Sequence, residues 1–445
     1  MTDLPVVQYA TSSDVGMRRA ANQDSYVVRT SSDPEEWFNC GHLFVVADGM
    51  GGHAVGDLAS RITVDTLPLA YFKQEVDTIG ERLNAAIVAA NQAINDKARE
   101  NPEFADMGTT CSTLVLSRQG AFVGHVGDSR VYRVRQGRIE QLSFDHSLQW
   151  EMVRQGRATI ENVDLLHPRN VITRCLGPDQ NVRIDIEGPF DVAAGDQFVI
   201  CSDGLTGHLS DTEIGAVASS MPPPDAARLL TNLANCRGGA DNITVVVINV
   251  ERYPAVGTQV VDSPAAITTS VARNPSFTRP SPLVRMLSSR AILFVFLLLG
   301  TLGLVLLAFK QIALGLVLIC PALLLGFVRM IVVTSQPDAG DSVPEMDVSD
   351  VPEASTDSGP ARFAPYTAAS AEVTMEFVNF LAEVQSELTQ AATENGWKAD
   401  VEQLSDLNRR ALQAVEKKAL PTNLRLRAQA IKGLMKELYQ HARRS

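Results

Sequence analysis

Short apolar runs of strand length recur through the first 250 residues: at 25–29, 41–47, 113–116, 121–126, 131–134, 182–186, 197–201 and 243–250. Between them, apolar residues at helical spacing predict helices around 57–69, 80–99, 148–155 and 225–235. Several strands are separated by only a turn, as on either side of 127–129 and of 136–137. A parallel crossover needs a longer connection, so the spacing predicts antiparallel hairpins. Residues 1–252 therefore read as an α+β unit, antiparallel sheet with helices packed outside.

The pattern then changes. Residues 291–334 are almost uninterrupted apolar positions, with only Lys310 and Arg329 charged. One bilayer crossing needs about 20 residues, so this length predicts a transmembrane segment, a hairpin of two spans divided at 310–311, with a single long, tilted span as the alternative. The preceding flank carries Arg273, Arg279, Arg285 and Arg290 and no acid from 271 to 290, which marks the cytoplasmic side. A hairpin returns the chain to that side, placing the N- and C-terminal domains in the cytoplasm at the plasma membrane. Residues 253–290 then form a basic linker and 335–365 an acidic, Pro-rich one. Seven acids and no base fall between 336 and 360, so that stretch reads as extended and self-repelling. Residues 366–445 show three amphipathic stripes: Phe377 to Leu388 with a stop at Asn395 and Gly396, Val401 to Val415, and Leu424 to Leu438. They predict a C-terminal helical bundle without a catalytic constellation.

A net charge of −12 argues against a sequence-independent grip on nucleic acid. The six cysteines lie far apart with no CxxC pair, which suits a reducing compartment and excludes zinc ribbons. None has an arginine six positions later, and there is no GxxxxGK loop, so cysteine-phosphatase and nucleotide-hydrolysing chemistries lack their motifs.

The acids of the N-terminal unit are placed informatively. Asp48 follows Leu43 to Ala47 and leads into Gly49; Asp203 follows Phe198 to Cys201 and leads into Gly204. Asp241 precedes the strand at 243, Asp128 lies beside Gly127 between two strands, and Asp24 opens the strand at 25. Rigid strand ends can hold such carboxylates, and neighbouring glycines allow close backbone approach and free a carbonyl to act as a ligand. Clustered carboxylates repel unless a cation neutralises them, and all-oxygen ligands select Mg²⁺ or Mn²⁺ over zinc. Any one of these aspartates alone is more simply a turn former. Five together favour a metal site.

In order, the chain carries Ser13-Asp14-Val15-Gly16, Arg19, Asn22-Gln23-Asp24, Ala47-Asp48-Gly49-Met50-Gly51-Gly52-His53, Gly108-Thr109-Thr110, Gly127-Asp128-Ser129-Arg130, Asp145-His146-Ser147, Asn170 to Gly177, Ser202-Asp203-Gly204-Leu205-Thr206 and Asp241-Asn242-Ile243-Thr244. This series resembles the PPM (PP2C-type) metal-dependent protein serine/threonine phosphatases of bacteria, over somewhat more than half the chain. The resemblance implies an α-β-β-α sandwich of two antiparallel sheets flanked by helices. It also implies hydrolysis of phospho-Ser and phospho-Thr, by direct attack of a water bridging two Mn²⁺ or Mg²⁺ ions and without a phospho-enzyme. On that likeness Asp48 bridges the two ions and the Gly49 carbonyl is a further ligand. Asp203 and Asp241 bind one ion, Asp24 orients the water, and Asp128 belongs to a possible third ion. Arg19 matches the arginine that grips the substrate phosphate, and Arg18 reads as a surface residue. The implied partners are phosphoproteins, Ser/Thr kinases and their substrates among them.

Two positions depart from the family pattern. Met50 stands where some members have a histidine, and Gly207 where some have an acid or asparagine. His53 is more simply a capping or core residue, and His146 and His167, around the family's flap at 147–171, structural hydrogen-bonding groups. The alternative is an inactive phosphatase-like scaffold that binds phosphoproteins; it predicts loss of metal acids, whereas all are present.

Overall fold

The computed structural model describes residues 4–51, 55–73, 76, 78–104, 106–154, 157, 171–254 and 364–442. All of these belong to one compact unit. Two six-stranded antiparallel sheets lie within it. The first has the order β1 (Val6–Asp14), β11 (Ile243–Arg252), β10 (Gln197–Cys201), β7 (Arg130–Arg135), β8 (Arg138–Gln141) and β12 (Thr367–Ser370). The second runs β2 (Asp24–Arg29), β3 (His42–Met50), β5 (Cys111–Ser117), β6 (Gly120–Val126) and β9 (Asp185–Phe190), with β4 (Gly108–Thr109) on the end of β3. The expected sandwich of two antiparallel sheets flanked by helices is present.

The continuous apolar runs follow from sheets buried on both faces. Along β3, Phe44 and Val46 point between the sheets, where they meet Leu114, Phe198, Ile200 and Val246. Their neighbours Leu43 and Val45 point outward onto α2 (Val55–Lys73) and α3 (Ile79–Glu100), against Leu67, Leu83 and Ile87. Along β10, Phe198 and Ile200 face inward while Val199 faces the opposite helix layer. The period of two is intact, but both phases are apolar.

That opposite layer comprises α6 (Asp211–Ser220), α7 (Pro223–Cys236), and two helices from the far end of the chain, α8 (Met375–Glu394) and α10 (Leu420–Ala442); α9 (Val401–Glu416) packs on α10. The remaining helices are α1 (Pro34–Cys40), α4 (Leu148–Arg154) and the short α5 (Asp203–Thr206). Phe377, Leu381, Leu424, Ile431 and Met435 share one core with Ile214, Leu230 and Val247. Strand β12 runs antiparallel to β8, with Thr367 opposite Gln141, and so extends the first sheet by a strand from beyond residue 364. The three predicted C-terminal helices are present, and the stop at Asn395 and Gly396 matches the left-handed φ of 64° at Gly396.

The strand expected at 182–186 is displaced to Asp185–Phe190. His125, next to the end of β6, pairs with Asp185, so Val182 and Ile184 lie past the ladder and pack on the α3 side instead. Among the described residues no helix is long and apolar enough to cross a membrane. The predicted spans at 291–334, and the linkers at 255–290 and 335–363, lie outside the described residues.

Candidate active site

Antiparallel register sets two acids face to face: Asp24 at the start of β2 is paired with Asp48 near the end of β3. Like charges directly opposite one another destabilise a sheet, so this pairing has a local cost. From the other sheet, β10 ends at Cys201 and the chain turns through Ser202 into α5, which begins with Asp203. A Cβ on Gly204 would collide with the Asn242 carbonyl, so glycine lets the turn carrying Asp203 lie against the turn carrying Asp241. Gly49 plays the same part beside Asp48, where an added Cβ would strike the Gln23 and Gly56 carbonyls.

Neighbouring polar residues fix these turns. Thr110 Oγ1 accepts from the Asp48 amide at 2.9 Å, while the Thr110 amide and Thr109 Oγ1 donate to the Asp48 carbonyl at 2.8 and 2.9 Å. Asn242 Oδ1 accepts from the Gln23 amide, and Asn242 Nδ2 donates to the carbonyls of Val15 and Ala21. Ser202 Oγ donates to Asp24 Oδ2 at 2.8 Å and accepts from the Thr244 amide, joining the two sheets at the site. Thr110, Ser202 and Asn242 lie within the sequence motifs but have no role assigned by the pattern alone. Their positions directly beside the acids were the available signal.

The electrostatics describe one cluster. Asp48 is raised well above the usual carboxylate range, first by burial and then by the charges of Asp24, Asp203, Asp128 and Asp241. Burial, reinforced by Asp203 and Asp241, pushes Asp24 up to about 7 against the hydrogen bonds of Thr244 and Ser202. Burial and then Asp241 raise Asp203 to about 6, opposed by a hydrogen bond with Asp48 and by Arg19 and Arg130. Asp128 is likewise raised, by burial, Asp203 and Asp145, with Arg130 opposing. The other four predicted acids thus all act on Asp48. Asp24 Oδ1, Asp128 Oδ1 and Asp203 Oδ1 are buried acceptors that receive no hydrogen bond. Buried acceptors without donors, in an all-oxygen cluster of like charge, have the chemistry of a hard divalent cation site. Among the described residues no three His, Cys, Asp or Glu side chains are gathered closely enough to hold one ion by themselves.

Arg19 reaches the cluster, and its Nη2 donates to Asp241 Oδ2 at 2.6 Å with both side chains partly exposed. Arg18 is exposed. His146 is fully buried, accepts from the Gly127 amide through Nδ1 and meets Asp185 Oδ2 at 2.9 Å, an arrangement that supports the turn before Asp128. Arg130, behind that turn, pairs with buried Asp145 at 2.7 Å. His53 and His167 lie outside the described residues.

A family profile described as protein phosphatase 2C matches residues 17–237. Protein phosphatase PhpP of Streptococcus pneumoniae is 33% identical over 250 residues, covering 55% of this chain and 97% of that protein. The solved catalytic domain of the serine/threonine phosphatase PstP, in complex with two manganese ions, is 32% identical and covers 56% of this chain and 99% of that one, with a TM-score of 0.48. Serine/threonine phosphatase Stp1 from Staphylococcus aureus, also solved, is 28% identical with a TM-score of 0.50 and covers 56% of this chain and 97% of that one. The fold and the acidic cluster define a metal-dependent phosphatase. The chain belongs to the bacterial protein phosphatase 2C family and is a protein serine/threonine phosphatase.

Proposed function

We propose that the chain hydrolyses phospho-Ser and phospho-Thr in proteins by direct transfer of the phosphoryl group to water, using Mn²⁺ or Mg²⁺ held by Asp48, the Gly49 carbonyl, Asp203 and Asp241, with Asp128 serving a further ion. The observation that carries this reading is the set of buried carboxylate oxygens, on Asp24, Asp128 and Asp203, that accept no hydrogen bond inside a cluster of five acids. Divalent cations bound there would supply charge neutralisation and a water acidic enough to be deprotonated near neutral pH. Asp24 has Oδ2 fixed by Ser202, which leaves Oδ1 to take a hydrogen bond from the attacking water and hold its proton. Arg19 binds the phosphate oxygens through its planar fork; its pairing with Asp241 shows that the guanidinium reaches the cluster. Thr109, Thr110 and Asn242 hold the acid-bearing turns at fixed positions, so little reorganisation is needed during reaction.

We further infer that the enzyme acts at the cytoplasmic face of the bacterial plasma membrane, opposing Ser/Thr kinases on their phosphoprotein substrates. The apolar segment at 291–334 and its arginine-rich flank support this. The full chain should release phosphate from phosphothreonine peptides only with Mn²⁺ or Mg²⁺, and Asp203→Ala should abolish release. Turnover that survives excess EDTA refutes the metal mechanism. Phosphopeptide binding without turnover at saturating Mn²⁺ would favour the scaffold reading. If the chain partitions with soluble protein after cell lysis, the membrane assignment fails.

A further inference from the structure

Two side chains of the C-terminal helices connect to the turn that carries Asp241. Tyr439, near the end of α10, meets Asn235, a buried side chain in the last turn of α7. Asn235 Nδ2 donates both to Tyr439 Oη at 2.7 Å and to Asp14 Oδ1 at 3.0 Å. Both of its amide protons are thereby committed, while its Oδ1 is a buried acceptor without a donor. An amide held only through its donors keeps its orientation only while both acceptors stay in place. Tyr439 supplies one of the two.

From Asn235 the contacts continue to the functional groups. Asp14 Oδ1 also accepts from the Gly16 amide at 2.9 Å, closing the turn that precedes Arg19. That turn lies against residues 239–241. The Gly239 carbonyl accepts from the Met17 and Arg18 amides at 2.8 and 3.2 Å, and a Cβ on Gly16 would stand 2.2 Å from the Asp241 carbonyl. A second chain of contacts starts on α8, where the Phe380 ring packs on Arg237 with 4.0 Å between ring centroid and guanidinium carbon. Arg237 Nη1 donates to the His208 carbonyl at 2.6 Å, and His208 Nε2 accepts from the amide of Ala240, one residue before Asp241, at 3.1 Å. Both chains end on the turn whose Asp241 pairs with Arg19.

We propose that Tyr439 and Phe380 are positioning residues of the phosphatase, acting through the turn at 237–241 on Asp241 and Arg19, a role that rests on the reading of Asp241 as a metal ligand and of Arg19 as the phosphate grip. Burial of an apolar stripe against the sheet requires neither a hydroxyl at 439 nor an aromatic face at 380. The second amide proton of Asn235 requires the one, and the face of the Arg237 guanidinium takes up the other. A ligand-bearing turn held in place before its ligand arrives binds more tightly, because less ordering remains to be done on binding.

The test compares the full chain with Tyr439→Phe, which removes only the hydroxyl, with Phe380→Leu, and with Leu424→Ala, a truncation at a fully buried position elsewhere on α10. Tyr439→Phe should weaken Mn²⁺ binding, read by titration calorimetry, and raise KM for a phosphothreonine peptide, each about 3- to 10-fold, with kcat changed less. In metal-free protein the Met17 and Arg18 amides should exchange hydrogen faster than in the parent, while those of β10 keep their parental rates. Phe380→Leu should weaken Mn²⁺ binding in the same way, and it carries the test if Tyr439→Phe does not fold. Leu424→Ala should lower the melting temperature and leave Mn²⁺ affinity and KM at parental values, which separates positioning from lost stability. Folded Tyr439→Phe and Phe380→Leu proteins with parental Mn²⁺ affinity, KM and exchange overturn the proposal. So does a change in these constants that Leu424→Ala reproduces. A parent without Mn²⁺-dependent turnover refutes the phosphatase reading instead, and exchange at Met17 and Arg18 then decides whether Tyr439 holds the turn.

Discussion

Replacing Asp24 by asparagine should make the metal-free protein more stable while destroying its activity. Asp24 stands opposite Asp48 and within the field of Asp203 and Asp241, and its folded-state value is pushed from 3.8 up to about 7. A raised carboxyl contributes stability that is complete below the unfolded value, near 4, and lost as pH climbs through about 7. Between those limits the folded chain binds more protons than the unfolded one, so metal-free stability falls with rising pH. A rise from 3.8 to about 7 corresponds to about 4 kcal/mol of destabilisation at pH 8. Asparagine keeps an oxygen to accept from Ser202 Oγ and presents an amide to the neighbouring carboxylates, so most of that cost should be recovered. For a domain of this size the gain is a rise in melting temperature on the order of 10 °C. The assay is calorimetry of parent and Asp24→Asn proteins in EDTA at pH 5 and pH 8. The variant should gain at pH 8 and little at pH 5, where the parent carboxyl is already protonated. Mn²⁺ should stabilise the parent increasingly as pH rises, because binding displaces the protons these acids hold. A parent whose metal-free stability is flat from pH 5 to 8, or a variant that melts no higher at pH 8, refutes the reasoning.

Two further substitutions probe the same site. Arg19→Ala should lower kcat/KM on phosphopeptides about 10- to 100-fold by removing a charge-assisted grip on phosphate, with melting temperature nearly unchanged because the side chain is half exposed; steady-state kinetics beside a thermal melt checks both. Thr110→Val removes the acceptor for the Asp48 amide and the partner of Ser129 Oγ, at about 1–3 kcal/mol. It should also raise the Mn²⁺ concentration for half-maximal activity about 10-fold or more, read by metal titration of phosphate release.

The acids were legible because each sits where an apolar run stops: Asp48 after Val45 and Val46, Asp203 after Val199 and Ile200. What the pattern could not give is what each apolar face is buried against. β1, whose middle reads Ala10-Thr11-Ser12-Ser13, is a sheet-edge strand with partly exposed positions throughout, so it carries no run and escaped the reading. β12 holds only Thr367, Ala368, Ala369 and Ser370, and its pairing with β8 depends on an edge more than 200 residues away. The ion pair of Arg19 with Asp241 is equally non-local. The apolar stripe of Phe377, Leu381 and Val384 was visible as a helix face. Reading it as the interior of a separate bundle missed that the same face also covers the outer side of the first sheet.

That shared face makes the C-terminal helices part of what holds the phosphatase together. Phe377, Leu381, Leu424, Ile431 and Met435 are buried in the cluster that contains Leu230, Val245 and Val247, and Thr367 Oγ1 donates to Asp211, which also accepts from Tyr132. Burying five such side chains stabilises by about 1.5–3 kcal/mol each, so even half of that total rivals the whole stability of a typical domain. A fragment ending at residue 254 would expose α6, α7 and the free edge of β8, and should melt far below the full chain, bind a hydrophobic dye and associate. Leu381→Ala, which opens a cavity at a fully buried position in the shared core, should reproduce a part of this, about 2–5 kcal/mol, in the intact protein. The exposed Leu412→Ala on α9 serves as the neutral control. If the fragment is monomeric, binds no dye and melts with the full chain, the helices merely rest on the enzyme. Their apolar stripes would then be satisfied among themselves.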